Sequence, residues 1–174
     1  EVYKTKVVVG STKRETPQFQ SQLRTIEFNP YWTVPVSISK EEILPKLKTD
    51  SEFLSRNDME LLKGDSIVQV TDFSPYSINN FPFVIRQKPG VMNALGVVKF
   101  LFPNSYSIYL HDTPSKSLFE KDVRAFSHGC IRVQKPLDLA AFLLAGQGMS
   151  IDYINKLVIK GENTAIVLEK RIPI

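Results

Sequence analysis

Reactive side chains are scarce in this chain. Its 174 residues hold one cysteine, Cys130, two histidines, His111 and His128, and one tryptophan, Trp32. A single thiol excludes an intramolecular disulfide, so the fold must rest on an apolar core, and the thiol is an inert buried group, half of an intermolecular bond or a nucleophile. Long apolar runs are missing as well. Val97 to Phe102 and Leu137 to Leu144 are of strand or helix length, well short of the roughly 18 residues of a membrane-spanning helix. The opening residues, Glu1 to Lys6, lack the basic-then-apolar order of a leader peptide, so the chain reads as a mature or excised piece. Charge of one sign is in small excess: 22 Lys and Arg against 18 acids leave +4, below what a dedicated nucleic-acid binder carries. With 43% hydrophobic and 23% charged residues, the composition excludes disordered, collagenous and coiled-coil chains and predicts one folded domain.

What is present reads first as strands. Thr5 to Val9 is β-branched and stops at Gly10, and Leu23 to Phe28 resumes after a polar stretch, which suggests a hairpin. From Asn29 the texture changes. Pro30, Pro35 and Pro45 interrupt the chain, while Ser39-x-x-Glu42 and Thr49-x-x-Glu52 have the form of capping boxes opening short helices, the first to be kinked or ended by Pro45. Ser66 to Val70 and Phe81 to Arg86 look extended, and Pro89-Gly90 is a turn signal. Residues 29–93 therefore read as an inserted, mostly helical segment. After Gly96 the strand signal is strongest, with Val97 to Phe102 and then Tyr106 to His111. Alternation along the second strand puts Ser107, Tyr109 and His111 on one face, with a phenol beside an imidazole at the strand end. Ser117-x-x-Glu120 suggests a helix start, Pro136 opens a helix to Leu144 or Gly146, and Thr164 to Lys170 reads as a closing strand. Strands at both ends with helices between predict an α+β fold with a β-rich core.

Both histidines lie shortly upstream of the cysteine, in His111-x15-Ser127-His128-Gly129-Cys130-Ile131-Arg132-Val133. A free thiol with pKa about 8.5 is a few per cent thiolate at neutral pH, so a cysteine nucleophile needs an imidazole to take its proton or stabilise its anion. Gly129 lets backbone approach closely, and amides around a nucleophile are common donors to the oxyanion of a tetrahedral intermediate. Two other readings stay open on residue grounds. Cys130 is an inert small hydrophobe, or His111, Asp112, His128 and Cys130 ligate a metal, although His-x-Cys matches no common zinc spacing.

The run Ser127 to Val133, with His111 upstream, resembles the signature of L,D-transpeptidases of the YkuD type. Tyr109-Leu110-His111-Asp112-Thr113-Pro114, Asp122 to Phe126, Asn29-Pro30-Tyr31-Trp32, Val34-Pro35 and Asn93-Ala94-Leu95-Gly96 further resemble the YcbB-like branch, whose catalytic domain carries an inserted cap. The resemblance covers most of the chain and implies a single catalytic domain, residues 1–174, with a cap at about 29–93. It implies Cys130 as nucleophile and His111 as base in a thiolate–imidazolium pair, oriented by the backbone carbonyl of Asp112, with His128 auxiliary. Tyr109 and the amides at Gly129 and Cys130 are then candidate oxyanion donors. Arg132, Trp32 and Ser127 are candidate substrate contacts, with a structural ion pair as the competing role for Arg132 and core packing for Tyr109 and Trp32. Asp112 brings a carboxylate next to the base, expected to face outward as a turn residue. The family's chemistry, which uses no metal and no cofactor, releases D-alanine from a peptidoglycan tetrapeptide stem and joins the acyl group to a second stem as a 3-3 crosslink. Water as acceptor would give an L,D-carboxypeptidase, and a protein lysine would give lipoprotein attachment. A further alternative is a non-catalytic peptidoglycan-binding module. Carbapenem β-lactams are the implied covalent inhibitors and the bacterial periplasm the implied compartment, with any membrane association made by a segment outside this chain.

Overall fold

The computed structural model describes residues 3–174. Glu1 and Val2, part of the stretch read for a leader, lie outside the described residues. The described chain forms two compact units, residues 3–30 with Ala94–Ile174, and Tyr31–Asn93. Both carry sheet and helix, so the fold is α+β.

The first unit is built on seven strands: β1 (Val7–Gly10), β2 (Gln22–Phe28), β7 (Val98–Leu101), β8 (Leu110–His111), β9 (Ala125–Ser127), β10 (Ile131–Val133) and β11 (Thr164–Pro173). Their order is β11-β2-β7-β8-β10-β1-β9, with β8–β10 and β1–β9 parallel and the other pairs antiparallel. Period-two alternation buries Ile26 and Phe28 opposite Phe100 and Val98 on the neighbouring strand. Helices α4 (Pro136–Leu144) and α5 (Ile151–Lys160) add Ala140, Leu144 and Ile154 to the same core. Each fully buried Phe, Leu or Ile here contributes about 1.5–3 kcal/mol of transfer free energy.

Pro136 stands at the first turn of α4, where a missing N–H is of no consequence. The sequence reading did not anticipate α5, although its ends are marked. The Ser150 hydroxyl accepts the Tyr153 N–H at 3.3 Å, and Gly161 closes the helix at φ +73°. Asn29 Nδ2 adds a donor to the carbonyl of Leu157 in the last turn, at 2.9 Å.

Three local expectations are corrected. β1 and β2 form no hairpin, since β1 lies between β10 and β9, and β2 between β11 and β7. The chain leaving β1 folds back over Gly10, where a Cβ would stand 2.2 Å from the Arg14 carbonyl oxygen, so the connection is a close loop rather than a two-strand turn. Ser117 does not start a helix; it lies within a single 3-10 turn, Lys116–Glu120. Tyr106 to His111 is not one strand either. Asn104 organises its first half, accepting the N–H groups of Tyr106 and Ile108 at 3.0 Å and donating to the carbonyls of Phe102 and Ile108. Ser107 turns at φ +56°, which leaves Leu110 and His111 as the ladder residues.

The second unit holds a four-stranded antiparallel sheet in the order β3-β6-β4-β5, formed by β3 (Trp32–Thr33), β4 (Met59–Lys63), β5 (Ser66–Val68) and β6 (Val84–Gln87). The segment is thus not mostly helical as expected. β4 and β5 form a two-residue hairpin through Gly64 at φ +61° and Asp65. Its helices are α1 (Val36–Ile38), a π-helical turn Ser39–Ile43, α2 (Leu44–Leu47) and α3 (Phe53–Arg56). Ser39 opens no helix, because the helical path already begins at Val36. Pro45 does not end it: the backbone widens into the π turn just before the proline, where the ring has no N–H to give and needs room from the preceding turn. Thr49 caps nothing N-terminal, its hydroxyl bonding back to Lys46, and Asp50 instead accepts the Glu52 N–H ahead of α3. Ile85, Leu61, Leu44 and Phe73 are among the buried residues of a core that belongs to this unit alone.

Candidate active site

β8 and β10 run parallel with Leu110 beside Ile131 and His111 beside Arg132, and the Ile131 N–H donates to the Tyr109 carbonyl at 3.1 Å. Cys130, one residue ahead of β10, is thereby set next to Tyr109. The rings of Tyr109 and His111 lie 5.7 Å apart, edge to face. The structure therefore brings Cys130, Tyr109, His111 and Arg132 to one place in the sheet, the adjacent ends of two parallel strands.

The turn bearing the nucleophile is held by its own neighbours. Ser127, 3% exposed, accepts the Gly129 N–H on its hydroxyl at 3.1 Å and donates to the Cys130 carbonyl. Gly129 stands at φ +116°, a conformation that side-chain-bearing residues rarely take. Its carbonyl accepts the Thr16 hydroxyl at 2.7 Å, and the Thr16 oxygen accepts the Gly10 N–H at 2.9 Å, which ties the turn to the end of β1. Thr16 was not foreseen as part of the site. Ser127, expected as a substrate contact, is instead a buried clamp. The Gly129 amide, expected as an oxyanion donor, is spent on Ser127.

His111 is 5% exposed, and its Nδ1 hydrogen-bonds the carbonyl of Asp112, so Nε2 is the basic nitrogen. Burial pushes the imidazolium down to about 4, against the lift from the Asp112 carbonyl, and the Arg132 charge adds to the fall. The Cys130 thiol is pushed up by burial, opposed by hydrogen bonds from the Tyr109 backbone and phenol and by Arg132. Its Sγ faces the Ser107 carbonyl at 3.9 Å. Both shifts favour neutral forms. Burial thus acts against the expected thiolate–imidazolium pair, in which both groups carry charge.

Arg132 is largely buried, and its Nε makes no hydrogen bond among the described residues. No carboxylate pairs with it there, so the competing role of structural ion pair is not seen. Desolvation is also what lowers its own pKa, with Cys130 opposing. Asp112 is 6% exposed and turned inward, contrary to expectation: its carboxylate accepts the Val97 N–H at 3.1 Å and pairs with Lys116. His128 is exposed. Trp32 belongs to the second unit, where it packs against that unit's own core. Among the described residues no three or more His, Cys, Asp or Glu gather to hold a metal ion.

The domain family described as YkuD, L,D-transpeptidase catalytic domain, matches residues 1–159. This chain belongs to that family. By family it is an L,D-transpeptidase catalytic domain, an enzyme. A protein of Haemophilus influenzae named "Putative L,D-transpeptidase" is 34% identical over 175 aligned residues, which take in 99% of this chain and 36% of that protein. The L,D-transpeptidase domain thus spans about a third of the length of this curated relative. Among its described residues, no helix is long and apolar enough to cross a membrane.

Proposed function

We propose that this domain forms 3-3 peptidoglycan crosslinks through an acyl-enzyme on Cys130. The observation that carries the reading is a half-buried thiol hydrogen-bonded by Tyr109, one strand from an imidazole whose Nδ1 is pinned to a carbonyl. As the Cys130 sulfur attacks the carbonyl between the L-centre of the third stem residue and terminal D-alanine, His111 Nε2 takes the thiol proton. The oxyanion is met by the Cys130 N–H and the Tyr109 hydroxyl. The C–N bond then breaks, D-alanine leaves with the proton from His111, and a thioester remains. The amine of a second stem attacks the thioester, gives its proton to His111 and frees the thiol.

Arg132 supports the substrate class. A largely buried guanidinium with an unpaired Nε is costly unless a ligand supplies an acceptor, and a substrate carboxylate satisfies it in bidentate fashion. The compartment that fits a peptidoglycan substrate is the bacterial periplasm, and strained β-lactam carbonyls such as those of carbapenems fit the same nucleophile. Residues 31–93 are assigned the role of an inserted cap, on the ground that they form a compact unit with its own core. Mass spectrometry of products made from a disaccharide-tetrapeptide tests the acceptor: a crosslinked dimer supports the proposal, tripeptide alone points to hydrolysis, and unchanged substrate overturns it.

A further inference from the structure

Gly96 closes the stretch Asn93-Ala94-Leu95-Gly96 and takes φ +60°. The place its Cβ would occupy is filled by the Asp112 carboxylate, with Oδ2 2.2 Å and Cγ 2.4 Å from that point. Any side chain at Gly96 would therefore displace Asp112. The next amide, Val97 N–H, donates to the same Oδ2 at 3.1 Å, while Oδ1 pairs with Lys116. The Asp112 backbone N–H is fixed as well, donating to the Val98 carbonyl at 2.9 Å. Asp112 is thus gripped at its amide and at both carboxylate oxygens just where β8 ends. Its one remaining polar group, the backbone carbonyl, faces His111 Nδ1.

We propose that the Asp112 side chain, seated on Gly96 and held by Lys116, is a positioning residue for the base: it fixes the carbonyl that selects the Nδ1–H tautomer of His111. The inference rests on His111 being the base of the proposed reaction, but its structural part is separable from that reaction. A carbonyl at a strand end is otherwise free to turn with its peptide plane. Once turned, it leaves the imidazole to protonate at Nε2, the nitrogen that must face the thiol empty. The carboxylate acts through the backbone, so its chemical identity matters less than its reach. Asparagine can still accept the Val97 N–H, whereas alanine cannot.

The test combines imidazole ¹⁵N NMR at neutral pH with single-turnover acylation by a tetrapeptide stem. With two histidines in the chain, His128→Gln assigns the His111 signals. The wild-type chain should show the Nδ1–H tautomer at His111. Asp112→Ala should show mixed or reversed tautomers and acylate about 10²-fold more slowly at unchanged KM, the loss expected of a misplaced catalytic group. Asp112→Asn should restore the tautomer and bring the rate within about tenfold of wild type. Should Asp112→Ala not fold, Asp112→Ser, too short to reach both Val97 and Lys116, carries the same expectation. A folded Ala or Ser variant that keeps the Nδ1–H tautomer and the wild-type rate overturns the proposal and leaves Asp112 a turn residue. If the wild-type chain is never acylated, the reading of the reaction fails, while the tautomer comparison still decides the positioning.

Discussion

Lowering the pH should cost the first unit stability through His111. Burial holds its imidazolium at about 4 in the folded chain, whereas an exposed histidine titrates near 6.5. Between those values the unfolded chain binds a proton that the folded chain refuses, so stability falls as pH falls through this window. The contribution is fully present above about 6.5 and exhausted below about 4. Each tenfold difference in proton affinity is worth about 1.4 kcal/mol, so the window carries about 3 kcal/mol. Urea unfolding of wild type and His111→Gln from neutral pH to pH 4 isolates the effect, because other titrating groups are common to both. The wild-type curve should lose about 3 kcal/mol more than the variant's across the window. Curves that stay parallel would refute the claim that His111 is buried as a neutral base. The kinetic counterpart is an acid limb of kcat/KM near pH 4 rather than near 6.5.

Three further outcomes are expected. His111→Ala should slow acylation about 10²- to 10⁴-fold and His128→Ala far less, because the proposed reaction assigns the proton transfer to the buried ring; equal losses in single-turnover assays would reverse the assignment. Ser127→Ala should cost about 1–3 kcal/mol by thermal or urea unfolding, since it orphans the Gly129 N–H in a buried turn, and an unchanged stability would remove Ser127 as the clamp. Hydrogen exchange across residues 31–93 should be faster than around His111 and Cys130 and should slow on acylation. Slow exchange indifferent to acylation would contradict the proposal that residues 31–93 act as a cap.

The candidate reacting residues were legible because their chemistry is rare in this chain and local in sequence. Cys130, His111 and Tyr109 could be named from a signature and from strand alternation, and the strands ending at Gly10 and Phe28 from β-branched runs. What sequence did not show depends on contacts between distant segments. Asp112 reads as a turn residue until Gly96 is seen to leave room for its carboxylate. Ser127 reads as a polar residue beside a nucleophile until both sides of its hydroxyl are found occupied. The directions in which the Cys130 and His111 pKa values move follow from desolvation, which no local pattern states. Other features carried local signals that were not read: Ser150 and Gly161 bracket α5, and Gly64-Asp65 marks a hairpin in a segment whose capping boxes suggested helices.

The account's central claim is that Cys130 becomes an acyl-enzyme, and intact-protein mass spectrometry tests it most directly. On incubation with a disaccharide-tetrapeptide or a carbapenem, the chain should gain one acyl adduct, with loss of D-alanine in the first case. Peptide mapping should place it on Cys130, and Cys130→Ala should gain nothing while keeping its fold. A wild-type chain that turns over the stem without any adduct, or a Cys130→Ala variant that still crosslinks, would contradict the mechanism.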